Sequence, residues 1–312
     1  MALITRRSTL LGSTLIAALT LPILPARAAD PVRVSSKIDT EGELIGSMVI
    51  AILNQAGIPT INKLRLGNTR ITRAALLAGE IDLYPEYTGN GAFFFHVDSD
   101  PVWKNAKEGA ARVRELDAAQ NHIVWMAAAP ANNTWAIGVN GDLAAKAKLK
   151  TLADFAAYVN GGGKVRVAGS AEFVESAAAL PAFQQAYGFK LSQDQLLVLA
   201  GGGTSASEKA AAEGTSGVNA TMVYGTDGAI DALGLVVLED PKSVQMVYEP
   251  AAIAREAVIA AYPNIPDLLA PVFARLDEKT LRSLNAKVEV DGQVATKVAQ
   301  AWLVSNGLLK QG

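Results

Sequence analysis

The side chains best placed to do chemistry fall in one run, Gly79-Glu80-Ile81-Asp82-Leu83-Tyr84-Pro85-Glu86-Tyr87-Thr88-Gly89. Two of its carboxylates, Asp82 and Glu86, could share acid and base roles in a cleft hydrolase of the glycosidase type, with Asp227 as a further acid. Glu86, however, follows a proline in a tight turn, which suits a structural part better. A base is hard to find elsewhere. The chain has no cysteine, and its two histidines, His96 and His122, have no partner within reach by sequence. The same composition argues against zinc and copper sites, so neither a metal nor a cofactor is expected. Gly201-Gly202-Gly203-Thr204 could cradle an anion at a helix N-terminus. It lacks the Lys-Ser/Thr of a phosphate-binding loop, and Thr204 or Ser205 acting as a helix cap is the simpler reading. What the run does offer is aromatic surface on a rigid loop directly after a short strand, which is where an α/β protein places its ligand.

Those side chains need a scaffold. Val32–Ser36 reads as a strand. Thr40-Glu41-Gly42-Glu43 opens a helix capped by Asp39 or Thr40, with Leu44, Ile45, Met48, Ile52 and Leu53 at helical spacing. The strand Leu64–Leu66, the helix Arg70–Ala78 and the strand Ile81–Leu83 continue a series that predicts a parallel sheet. The helix Lys104–Asn121 and the strand Ile123–Ala128 follow, and Asn132–Val139 reads as a strand leaving this first unit. A second series comprises the helix Leu152–Val159, strand Lys164–Ala168, helix Glu172–Tyr187, strand Gln195–Ala200, helix Ala206–Glu213 and strands Ala220–Val223 and Leu235–Leu238. Val244–Ile253 turns back, and Val258–Leu309 is mostly helical. The pattern predicts two α/β lobes joined by two crossovers, with a ligand cleft between them. The first lobe spans 30–134 and 240–312, and the second 135–239.

The N-terminus reads as an export signal over residues 1–28. Thr5-Arg6-Arg7-Ser8 supplies positive charge, Leu10 to Leu24 is apolar, and Ala26-Arg27-Ala28 is a cleavage site. The apolar stretch is short for a membrane span. The arginine pair fits the twin-arginine route as well as an ordinary signal. Removing the segment takes away three arginines and no acid, so the formal charge of −2 becomes more acidic. An acidic chain lacks the basic footprint that nucleic-acid binding needs. The length of 312 residues suits two lobes, because single cores stop growing near ~250–300 residues.

Asp82-Leu83-Tyr84-Pro85-Glu86-Tyr87-Thr88-Gly89 closely resembles the D-(V/L)-Y-P-E-Y-T-G segment of the periplasmic substrate-binding proteins of osmoprotectant ABC importers, which bind glycine betaine, choline and related quaternary amines. The resemblance extends from Ser36 to about Trp302 and takes in Glu239-Asp240, Tyr262-Pro263 and the helix Leu276–Leu284. It implies a type II periplasmic-binding-protein fold, a non-enzymatic role, export to the periplasm, action as a monomer, and permease subunits of an ABC transporter as partners. A module feeding a sensor would look the same in sequence. A quaternary ammonium has no N–H to donate, so a protein holds it by aromatic faces and methyl packing, each face contributing ~0.5–2 kcal/mol when desolvated.

The resemblance picks out four such faces. They are Tyr87, Trp135 in Asn133-Thr134-Trp135-Ala136 (the family's N-D-T-Y-A), Tyr224 in Tyr224-Gly225-Thr226-Asp227-Gly228, and Tyr248 ahead of the return strand. Tyr84 reads as packing. The resemblance also implies that Lys37, in Ser36-Lys37-Ile38-Asp39-Thr40-Glu41-Gly42, grips a ligand carboxylate, helped by Asn90 in place of a family threonine; Asn133 joins the ligand set. Three positions depart from the family. Gly42 replaces a glutamine, Ser176 an arginine that pairs with the carboxylate in some members, and Ala178 that arginine's acidic neighbour. Ser176 is therefore expected at the carboxylate end as a weaker contact. A charge-assisted hydrogen bond contributes ~1.5–3 kcal/mol, so its loss predicts weaker betaine binding or a ligand without a carboxylate. Glu175 would add negative potential there.

Overall fold

The computed structural model describes residues 1–2, 30–199 and 204–310. The export signal and Gly201–Gly203 lie essentially outside the described residues. Ten strands are described: β1 (Val32–Lys37), β2 (Thr60–Gly67), β3 (Leu83–Tyr87), β4 (Ile123–Ala128), β5 (Trp135–Asn140), β6 (Val167–Ser170), β7 (Leu196–Leu199), β8 (Ala220–Tyr224), β9 (Leu235–Val237) and β10 (Pro250–Arg255).

They form two mixed five-stranded sheets, ordered β2-β1-β3-β10-β4 and β7-β6-β8-β5-β9. Each sheet has parallel strands on one side and one strand borrowed from elsewhere in the chain. In the first sheet β10 returns from the C-terminal region and runs antiparallel to β3 and β4. In the second, β5 enters directly after the first sheet's β4 and runs antiparallel to β8 and β9. The chain therefore passes between the sheets twice, after β4 and before β10. The two passages are hydrogen-bonded to each other. Asn133 N–H donates to the Tyr248 carbonyl at 3.0 Å, and Tyr248 N–H donates to Asn132 Oδ1 at 2.8 Å.

Each sheet carries its own apolar core. Val34 and Leu83 pack with Leu44, Ile45 and Met48 of the helix Thr40–Gln55 and with Leu269, Phe273, Leu281 and Leu303 of the C-terminal helices. The helical C-terminal stretch thus packs on the first sheet. Ile137, Val167 and Met222 pack with Phe155, Phe173 and Phe183 in the second. No helix among the described residues is long and apolar enough to cross a membrane.

Two of the differences from the sequence reading bear on the site. The strand expected over Ile81–Leu83 begins at Leu83 and runs to Tyr87, because Pro250–Ala254 of β10 pairs with all of that stretch. Pro85 is tolerated there because the pairing of β1 with β3 is confined to Val34↔Leu83, leaving no bond on that side for its missing N–H. The helix expected over Glu172–Tyr187 is two helices, Ala171–Glu175 and Leu180–Tyr187. Pro181 has no N–H for the carbonyl four residues back and sits instead in the first turn of the second helix, where that N–H is not needed.

Candidate functional site

A cavity of about 530 Å³ lies at the strand ends that face each other across the two passages. Lys37, Tyr87, Asn90, Asn133, Trp135, Tyr224 and Tyr248 all line it. Ser176 does not. It ends the helix Ala171–Glu175, and its hydroxyl accepts from Ala178 N–H at 3.3 Å. Glu175 is absent from the wall as well, and Glu172, one turn earlier on that helix, stands there instead.

The sheets position the rings. Trp135 and Tyr224 are directly paired residues of β5 and β8, and their rings stack with centroids 6.4 Å apart at 25°. Phe173 meets the Trp135 ring edge-on at 6.5 Å, fixing it from behind. Tyr248 lies against the backbone of Gly89. A Cβ there would meet the Tyr248 ring at 2.7 Å, so the Thr-Gly turn after Tyr87 needs its glycine for this approach. Tyr87 is 7% exposed, and its hydroxyl donates to Glu41 Oε1 at 2.6 Å. Burial, followed by the charges of Glu41 and Asp39, holds that hydroxyl well above the usual phenol range, so it stays a neutral donor.

Lys37 and Asn90 are in place but committed. A register shift in β1 between Ser35 and Lys37 accompanies the turn of Lys37 toward the cavity. Its ammonium forms an ion pair with Glu86 and lies 4.5 Å from the centre of the Tyr87 ring. Glu86 is fully buried. It also accepts from Tyr84 Oη at 2.8 Å, Tyr87 N–H at 2.7 Å and Asn90 Nδ2 at 2.7 Å. Glu86 is thus the anchor of its own loop, and Tyr84, fully buried, is part of that anchor.

Asp82 is occupied in a different place. Arg33 and Arg255 grip it from β1 and β10, at 2.8 Å to Oδ2 and 2.5 Å to Oδ1. Burial raises the Asp82 carboxyl, but these bonds outweigh it and leave the group below the usual range. It is not on the cavity wall. His122 Nδ1 makes an exposed contact with Glu256 at 3.1 Å, a partner its sequence neighbourhood does not show.

Sequence reasoning missed most of the acids. Asp39, Glu41, Glu172, Asp227 and Glu289 line the cavity against one ammonium, that of Lys37. Glu41 is the central one. Besides Tyr87, it accepts from Asn133 Nδ2 at 3.3 Å and from Asn285 Nδ2 at 2.8 Å. Burial pushes its carboxyl up to about 7, with donors including Thr226 and Tyr87 opposing. Asn285 also donates to the Thr226 carbonyl at 2.9 Å, so the helix Glu278–Glu289 of the first lobe holds the turn after β8. Gly228 in that turn comes so close that a Cβ would meet Ala286 N at 2.3 Å. Asp227 Oδ2 accepts from Tyr224 N–H at 2.7 Å. Burial raises Asp227 and its neighbour Glu208 together, and raises Glu289 as well. The one available cue was position: Asp39 and Glu41 sit where the first helix starts from the end of β1. Asn285 and Glu289 carry no local signal.

Residues 30–305 match the family described as the substrate-binding domain of ABC-type glycine betaine transport systems. The chain is 54% identical over 287 residues to the glycine betaine-binding protein YehZ of Escherichia coli K12, covering 92% of this chain and 94% of that one. The apo structure of YehZ aligns with a TM-score of 0.82 at 54% identity over 90% of this chain and 100% of the other. A structure titled glycine betaine/carnitine/choline ABC transporter aligns at 0.78 with 19% identity over 89% and 100%, a likeness of fold.

Proposed function

We infer, for a chain that belongs to the family of substrate-binding domains of ABC-type glycine betaine transport systems, that its cleft captures a quaternary ammonium solute of the betaine or choline kind in a cage of Tyr87, Trp135, Tyr224 and Tyr248. The observation that carries this is the convergence of those four rings on one cavity from both lobes. Acids surround the rings, and Glu172 stands near enough to Tyr224 and Tyr248 for its charge to act on both hydroxyls. Aromatic faces within a negative field suit a permanent cation that cannot donate hydrogen bonds. Asn133 borders the cage, while Lys37 and Asn90 shape it through Glu86.

In this reading the protein is an exported, periplasmic and non-enzymatic monomer. Lobes 30–134 plus 240–312 and 135–239 close over the ligand, and the closed form is what permease subunits recognise. Two of the three acids considered for a hydrolase are otherwise engaged, Asp82 by two arginines and Glu86 by Lys37; Asp227 remains on the cavity wall. The test is calorimetric titration of the unliganded mature chain with glycine betaine, choline, carnitine and neutral controls. Saturable heat with quaternary amines alone is expected. Binding of a sugar or a neutral amino acid with silence from every quaternary amine overturns the reading.

A further inference from the structure

We propose that Glu41 selects the charge type of the ligand's polar tail: with its carboxyl protonated the cleft admits a carboxylate-bearing betaine, and with it ionised the cleft favours cations that carry no carboxylate, such as choline. This rests on the quaternary-amine reading above and adds a proton-dependent choice between its ligands.

The geometry leaves a ligand carboxylate without a cationic partner. Among the described residues, the only ammonium on the cavity wall, that of Lys37, is paired with the fully buried Glu86. The Asn90 amide N–H is given to the same carboxylate at 2.7 Å. Ser176, where the family's arginine would stand, is off the wall. A betaine's carboxylate therefore meets a wall on which acids outnumber bases, in a partly desolvated space where like charges repel strongly.

Glu41 is the acid least able to step aside. It is 5% exposed, and hydrogen bonds from Tyr87, Asn133 and Asn285 hold it from three separate segments. Tyr87 is itself a cage face, so the carboxyl lies one side chain away from the cation site. Its proton affinity is set by what surrounds it. Asp39 at its own helix cap adds negative charge, β3 brings the neutral Tyr87, and β1 brings Lys37, already neutralised. The helix Glu278–Glu289 brings Asn285 and Glu289, and the turn after β8 brings Thr226 and Asp227. From β2, the exposed Arg65 is spent on the half-buried Glu43. The helix Ala295–Ser305 meets the first helix through a hydroxyl, Thr296 against Ser47, and Ile265–Phe273 meets it through apolar side chains. Burial in this set moves Glu41 to about 7, which puts its change of charge in the working range.

The experiment is calorimetric titration of the mature chain and of Glu41→Gln with glycine betaine and with choline, at about pH 5.5 and about pH 8.5. If only the protonated form accepts betaine, its wild-type affinity falls by roughly thirtyfold across that range, because the competent fraction falls by that factor. Choline affinity holds or tightens. In Glu41→Gln the betaine change shrinks to within about threefold, while choline binding weakens from loss of the anion. The variant is needed because Asp227 and Glu289 also carry raised carboxyls in the same cavity. A wild-type betaine affinity that is flat with pH, or an equal slope in Glu41→Gln, overturns the role of Glu41 and leaves the ligand reading standing. If Glu41→Gln does not fold, titration of the wild type in buffers of different ionisation enthalpy decides. Near pH 8, betaine binding should take up about one proton and choline none, and equal uptake overturns the proposal. Failure of every quaternary amine to bind at either pH overturns the ligand reading, and this proposal with it.

Discussion

Replacing Lys37 with methionine separates two jobs that one lysine could have at the end of β1. As a ligand grip, its loss would weaken betaine binding and leave the fold alone. The structure assigns it the other job, because its ammonium is the counter-charge of Glu86, whose side chain is 0% exposed, and is itself 8% exposed. Removing one partner of a buried pair strands the other charge and costs about 3–5 kcal/mol. For domains of this size each kcal/mol moves the melting temperature by about 2–4 °C, so Lys37→Met should melt about 6–20 °C lower. Glu86 also carries Tyr84, the Tyr87 backbone and Asn90, so a disturbed Glu86 should loosen the whole Tyr87 loop. The double variant Lys37→Met/Glu86→Gln removes the stranded charge and should recover at least about 2 kcal/mol relative to the sum of the single variants. Urea unfolding of the four proteins, followed by far-ultraviolet circular dichroism, measures the cycle. If Lys37→Met keeps wild-type stability to within about 0.5 kcal/mol while betaine binding collapses, the lysine faces ligand and the assignment to Glu86 is wrong.

Truncating Trp135 to alanine should weaken quaternary-amine binding by about 1–2 kcal/mol, the contribution of one desolvated ring face plus the support it gives Tyr224; calorimetry showing a change below twofold removes Trp135 from the cage. Ser176→Arg should leave the ratio of betaine to choline affinity where it is, since Ser176 lies off the cavity wall; a ratio shifting toward betaine would show that the side chain reaches the ligand. Stability should fall as pH rises. Burial raises Glu41 from 4.5 to about 7 and also raises Asp227 and Glu208, so the folded chain holds protons that the unfolded chain has already released, and stability drains away from about pH 4.5 upward until these groups ionise. Asp82 has the opposite sign, but its contribution is complete once the pH exceeds the ordinary carboxylate range. Melting curves from pH 5 to pH 8.5 should show this decline, and Glu208→Gln should flatten it; a rising curve contradicts the raised carboxyls.

Elements whose signals are local were legible. Ile123–Ala128 was read to the residue, and the first helix starts at Thr40 under its Asp39 cap, as its periodicity required. The two misread elements nearest the site failed for non-local reasons or through a rule passed over. The extension of β3 to Tyr87 is imposed by Pro250–Ala254, a strand far along the chain, and nothing near Pro85 announces it. The break before Leu180 follows from Pro181, whose missing N–H outweighs the favourable helical spacing around it. At the site, seven expected residues reach one cavity because their motifs sit at strand ends. The role of Lys37 was illegible, because Glu86 becomes its partner only when β1 and β3 lie side by side; the Asn90 bond to Glu86 is local, four residues back, and was passed over.

The acids show why local reading understates such a cleft. Taken singly, Asp39 caps a helix, and Glu41 and Glu172 occupy first turns, where the helix dipole favours negative charge. Each has a sufficient local explanation, so none asks for a functional one. Topology changes this. In an α/β sheet, helices following parallel strands begin at the strands' carboxyl ends, so acids placed for helix stability are delivered to the edge where ligands bind. Two such edges face each other here, and the fold then adds Glu289, at the last residue of its helix, where the dipole opposes a carboxylate. Its charge is supported by the Thr40 hydroxyl and the Gly228 N–H, donors from a different helix and from the other lobe. Helix N-termini account for three of the acids, one by capping and two by the dipole, whereas Glu289 is kept against its local preference. The excess of acids on this cavity is therefore a property of how the two sheets are brought together, and it is the feature on which the proposed capture of a cation by aromatic faces rests.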